Sequence, residues 1–146
     1  MKKILFSLLG IVLLLSATSA SAQPYKTEFS SGEIVVDSIK RSSDDTVLIK
    51  GSFRNTSEKG FHWHGSNLLQ NYHIINIKLQ DLKSKRQYEQ VRVGDKAVGS
   101  EHQGSVSEGA RETFWARITA PPRDVKEVSI IFGGEVIPIE GATIID

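Results

Sequence analysis

Four stretches of this chain alternate apolar and polar side chains with a period of two, a rhythm that fits extended backbone buried on one face and little else. In residues 46–54, Val47, Ile49 and Phe53 share one face, while Lys50, Ser52 and Arg54 share the other. Gly51 falls on the inward face, which suggests a bulge there. Residues 72–82 repeat the pattern with Ile75, Ile77 and Leu79, and His73 and Asp81 share their parity near the ends. In 112–120, Phe114, Ala116 and Ile118 point inward and Trp115 and Arg117 outward; in 126–132 the inward set is Val128, Ile130 and Phe132. Runs at 33–40, 87–93 and 135–145 complete the set, with Tyr88 packed and Pro138 marking an edge strand. Pro121-Pro122 ends one strand, and Gly133-Gly134 offers a two-residue hairpin turn. No stretch carries a convincing helical period, and residues 62–71 have room for one helical turn. Seven or eight strands separated by turns predict an antiparallel sandwich, with a small barrel as the alternative.

The first 22 residues read differently. Lys2 and Lys3 precede an apolar run from Ile4 to Leu15, and Ala20-Ser21-Ala22 stands before Gln23. That order is the one a secretory signal peptide has, and the run is shorter than the roughly 20 residues a membrane span needs. Cleavage after Ala22 would leave residues 23–146 as a single domain without a stable membrane anchor, periplasmic or secreted. That mature chain carries 16 basic and 17 acidic residues. Such a balance lacks the basic excess of a nucleic-acid binder. The sequence has no cysteine, so disulfides, thiol catalysis, thiolate metal sites and a lipidated N-terminal cysteine are all excluded.

Two connections are long for a β-protein, residues 55–71 and 94–111. Long connections are where binding and catalytic groups concentrate. The second spaces Gly94, Gly99, Gly104 and Gly109 five residues apart. It reads as a flexible loop, since no Gly-Lys-Ser/Thr opens a helix there.

Three segments, "TVLIKGSFRNTS", "INIKLQDLKSKRQYE" and "EGARETFWARITAPPRDVKEVSIIF", follow one another over residues 45–132. Their order resembles that of bacterial secreted immunoglobulin-like domains of unknown function. The resemblance implies an all-β, antiparallel immunoglobulin-like sandwich of about seven to eight strands and a non-catalytic interaction role. It carries over no functional residue.

Candidate chemistry gathers in the first connection. His62 and His64 are two apart and lie on one face if extended. With His73 and His102, and Glu58 or Glu101 as oxygen ligands, they compose a donor set suited to Zn or Cu. The alternative is that Phe61 and Trp63 anchor the loop while the histidines face water. Trp63 and Trp115, with Arg117 beside the latter, are candidates for a partner surface, since an outward tryptophan next to arginine makes an interface anchor or a sugar-stacking platform. Asn55-Thr56-Ser57 matches the glycosylation sequon, which would carry no meaning in a bacterial protein and mark a surface site in a eukaryotic one. Asp44-Asp45 reads as a solvated turn, and Arg111, Arg123 and Asp124 as turn or surface charges. No Gly-x-Ser-x-Gly elbow and no His-Glu-x-x-His occurs. The expectation is therefore a non-enzymatic module that binds a protein or glycan partner in the cell envelope, without nucleic acid and without a cofactor. A metal-binding periplasmic protein is the alternative, and a hydrolase with an unrecognised site ranks last.

Overall fold

The computed structural model describes residues 23–29, 32–58, 61–63, 77–100, 104–133 and 136–146. The signal-peptide reading at 1–22 lies outside them, as do Gly134 of the suggested hairpin turn and all of the suggested helical turn at 62–71 except residues 62 and 63, which belong to a strand. Among the described residues there is no helix, and twelve strands run in chain order. They are β1 (Tyr25–Phe29), β2 (Gly32–Arg41), β3 (Thr46–Asn55), β4 (Phe61–Trp63), β5 (Lys78–Asp81) and β6 (Gln87–Tyr88), followed by β7 (Arg92–Val93), β8 (Lys96–Ala97), β9 (Gly104–Val106), β10 (Arg111–Thr119), β11 (Glu127–Ile131) and β12 (Ile139–Thr143). One sheet runs β1-β2-β3-β10 and a second runs β12-β11-β5-β6; two short pairs, β4-β9 and β7-β8, stand beside them. All strand pairs are antiparallel.

Within the described residues the alternation read from the sequence is the alternation observed; His73 and Ile75 of the 72–82 stretch lie outside them. Val47, Ile49, Phe53, Ile77, Leu79, Phe114, Ala116, Ile118, Val128, Ile130 and Phe132 are all buried and belong to one core cluster drawn from both sheets. Each large apolar side chain removed from water this way contributes about 1.5–3 kcal/mol. The bulge suggested by Gly51 exists, but on the neighbouring strand. Val36 pairs with Gly51 and Ser38 with Lys50, so Asp37 is the extra residue in β2. Gly51 itself makes room for the Phe114 ring and the Val35 carbonyl.

Chain segments join the two sheets at both edges. Residues 87–93 read as one strand in sequence, yet they serve two sheets and a hairpin. Gln87 and Tyr88 pair with β5. The next residues pair with β10, where the Val91 amide donates to the Arg117 carbonyl and Gln90 bridges to Ile118. At the opposite edge, beyond β12, the Arg41 amide donates to the Ile145 carbonyl and the Ile145 amide to that of Ile39, a parallel bridge onto β2. These joints hold the layers together in a chain without disulfides.

Several expectations need correction. Among the described residues twelve strands occur, eight of them in the two four-stranded sheets, where the sequence suggested about seven to eight in all; β1, β4, β7, β8 and β9 carry too few alternating residues to register as strands. The last strand is β12 rather than 135–145, and Pro138 lies just before it; β12 does occupy a sheet edge. The second long connection is largely structured. Gly94 turns the β7-β8 hairpin at φ 60°, and Gly109 turns before β10 at φ 70°. Gly99 pairs with Ala116 and packs where a methyl group would meet the Trp115 carbonyl at 2.9 Å. The Ser100 amide donates to the Trp115 carbonyl at 2.9 Å, and the Trp115 amide donates to the Ser100 Oγ at 2.7 Å. Backbone pairing to β10 consumes the freedom that the glycines suggested.

Candidate functional site

From Trp115 to Thr119, β10 sits between β3 and the edge formed by residues 89–91 and 98–100, so both its backbone rows are used there and only its side chains face outward. Its inward set fills the core. Its outward set is Arg111, Thr113, Trp115, Arg117 and Thr119, all exposed. Register places Trp115 opposite Lys50, Arg117 opposite Leu48, Thr113 opposite Ser52 and Arg111 opposite Arg54. Trp115 keeps 39% of its surface exposed, which leaves part of an amphipathic ring free to meet a partner. Ser52 and Val35 on the same side of the sheet are buried. The reachable part of this face is therefore the tryptophan and the long cations around it. Trp115 and Arg117 thus share one exposed face, as their spacing suggested.

The other expected site residues are placed less fully. His64, His73 and His102, like Glu101, lie outside the described residues. His62 and Trp63 are described through their backbone only, in β4, where His62 pairs with Ser105 and Trp63 with Gly104. That ladder joins the first long connection to the second. Among the described residues no three histidine, aspartate or glutamate side chains come together as a metal site.

The surface-site alternative for the sequon is overturned. Asn55 is 0% exposed. Its Nδ2, the atom a glycan would occupy, donates to the Val106 carbonyl at 2.9 Å. Its Oδ1 accepts from the Ser57 amide at 2.9 Å and the Ser57 hydroxyl at 2.7 Å. Asn55 is a tie between β3 and β9, not a surface acceptor.

A second concave region, about 490 Å³, lies where the chain changes sheets. Arg86 stands over the Tyr88 ring at 5.5 Å, and residues 119–123 and Asp44 close the other side. Asp44 is not merely solvated here; it accepts from Arg123, and that bond holds its carboxyl below the ordinary carboxylate range. Behind them the buried Arg41 guanidinium donates through both Nη atoms to the Pro121 carbonyl, at 3.1 Å each. Its Nε lies 3.4 Å from Asp146. Sequence reasoning missed this clamp, since an arginine at the end of a strand gives no sign of burial. Lys126 bonds Asp146 at 2.6 Å and depresses its carboxyl, and the Ser84 hydroxyl and Lys83 amide do the same for Asp81.

Depressed carboxylates add stability above the ordinary carboxylate range, and that stability is lost as the pH falls from about 4 through their lowered values. All three groups are exposed, so the loss is small. Melting temperature measured from pH 6 to pH 2 should therefore decline gently below about pH 4. The decline should shrink when Asp44→Asn and Asp146→Asn are combined. An unchanged acid slope in that double variant would refute the assignment.

No protein-family model, curated protein or solved structure matches the chain.

Proposed function

We propose that the protein is an exported, non-enzymatic interaction module of immunoglobulin-like sandwich type that binds a protein or glycan partner in the cell envelope. The exposure of Trp115 beside Arg117 on the outer face of the first sheet carries this reading. Tryptophan and arginine are the side chains most often responsible for binding energy at interfaces. They project here from a strand held on both sides, so little ordering cost attends their engagement. Export rests on the order of charged, apolar and small residues before Gln23. Intact-mass analysis of the chain recovered outside the cytoplasm should give a protein that begins at Gln23, and retention of residues 1–22 would refute that part.

Affinity capture from cell-envelope extracts tests the binding. The wild-type chain should retain a specific partner, and Trp115→Ala with Arg117→Ala should lose at least tenfold of it, about 1.4 kcal/mol or more. Equal recovery by both proteins would sink the assignment of this face.

The β4-β9 ladder favours one second reading, a Zn or Cu site on the first long connection. His62 lies on the rung between two segments that continue, in sequence, to His64 and His102. Calorimetry with each metal on the mature chain should show binding abolished by His62→Ala with His64→Ala. Affinity no tighter than millimolar, or unaltered in that variant, would end the idea.

A further inference from the structure

The chain as a whole is nearly neutral, with 18 basic and 17 acidic residues, but the fold sorts these charges. The outward positions of β3 and β10 hold Lys50, Arg54, Arg111 and Arg117 and not a single carboxylate. Among the described residues none of these four makes an ion pair. The nearby carboxylates are engaged by other cations: Glu33, across from Arg54 on β2, lies 3.9 Å from Lys26, and Glu89, beside Thr119, lies 2.9 Å from Lys78. Trp115 stands within this group, directly across from Lys50 and two residues from Arg117. Arg54 and Arg111 share a rung four residues along, about 13 Å away at the usual strand rise. The result is an elongated strip with cations at both ends and an exposed aromatic ring between them.

We propose that this strip binds an acidic polysaccharide, a deepening of the interaction-module reading on which it rests. A pyranose ring offers an apolar C–H face that lies on an indole, and its carboxylate or sulfate groups accept charge-assisted hydrogen bonds from flanking lysine and arginine. The exposed hydroxyl-bearing Thr119 adds polar contact at the strip's end. The spacing favours an extended polymer, because two charged rungs about 13 Å apart reach beyond a single sugar. An extended peptide is less well matched: peptides that join sheets do so through backbone bonds at an open edge, and from Trp115 to Thr119, where the ring and Arg117 stand, both edges of β10 are already paired. A single-stranded nucleic acid calls for several stacking aromatics in a row, and this strip has one.

Affinity electrophoresis of the full mature chain, with polymer cast in the gel, tests the proposal. Polygalacturonate and heparin supply the carboxylate and sulfate arms, dextran the neutral control, and a thymidine oligonucleotide in solution the competitor. Retardation by at least one acidic polymer is expected, weakening as salt rises and falling at least tenfold in Lys50→Gln with Arg117→Gln. Trp115→Ala should fall similarly. Lys83→Gln with Lys85→Gln, the same charge loss on the β5-β6 turn, should leave retardation unchanged, and thermal melts confirm that each variant is folded.

Absence of retardation by both acidic polymers would overturn the proposal, as would equal retardation by dextran, complete competition by the oligonucleotide, or an equal effect of the Lys83/Lys85 control. Envelope capture separates the two levels. If a partner still depends on Trp115 while the acidic polymers fail, the acidic glycan is wrong and the interaction module stands. If neither depends on Trp115, both fall.

Discussion

Asn55→Ala is expected to remove about 3 kcal/mol of stability and to lower the melting temperature by roughly 10 °C. The side chain is fully buried and, among the described residues, its amide nitrogen donates to Val106 and its oxygen accepts twice from Ser57. Alanine would leave the Val106 carbonyl without this donor, and an unsatisfied buried group of this kind costs about 1–3 kcal/mol. Around the same residue the backbone also closes: the Asn55 amide donates to the Ala110 carbonyl and the Gly109 amide to that of Asn55. The loss should therefore loosen β9 and the turn before β10 together. Asn55→Asp separates the donor from the acceptor. It keeps the Ser57 bonds but sets a carboxylate against a carbonyl, which raises its folded pKa. Its stability deficit should be large at neutral pH and shrink on acidification, when the protonated acid can donate to Val106. Chemical denaturation at pH 7 and pH 4 measures this, and a pH-independent deficit would contradict the role given to the Val106 bond.

Gly51→Ala should cost about 3 kcal/mol as well, at the upper end of overpacking effects, and lower the urea midpoint by about 1.5 M. The cause is different. A methyl group here would overlap the Val35 carbonyl and lie 2.6 Å from the Phe114 ring. The ring can be shortened; the carbonyl belongs to the backbone of β2 at its bulge. Adding Phe114→Leu to Gly51→Ala should thus recover only part of the loss. Full recovery would show that the ring alone sets the constraint, and a Gly51→Ala protein melting within about 2 °C of the parent would remove the constraint altogether.

Where one face of a strand meets the core and the other meets water, the sequence is plain to read. Phe114, Ala116 and Ile118 against Trp115 and Arg117 is such a case, because the two environments alternate as strictly as the pleat. Legibility fails where burial comes from a polar group that tertiary bonds satisfy. Asn55 opens a run of small polar residues and reads as loop, and Arg41 closes a strand beside a turn. Neither residue announces the carbonyl that receives it from Val106 or Pro121. It fails again at residues 98–100, whose pairing to β10 follows from register rather than from composition. The cationic strip has the same origin: Lys50 and Trp115 are far apart in sequence, and only the β3-β10 register makes them neighbours. A count of charges over the whole chain hides what one face of one sheet concentrates.

The edge alongside β10 is interrupted. The chain pairs at residues 89–91, leaves to make the β7-β8 hairpin with Val93 exposed at 73%, and returns at 98–100, where the Val98 amide closes onto the Val91 carbonyl. A passing copy of the chain therefore finds no long straight row of amides there on which to extend the sheet. The protrusion acts as a fender, guarding a strand-rich molecule against fibre-like growth from this flank.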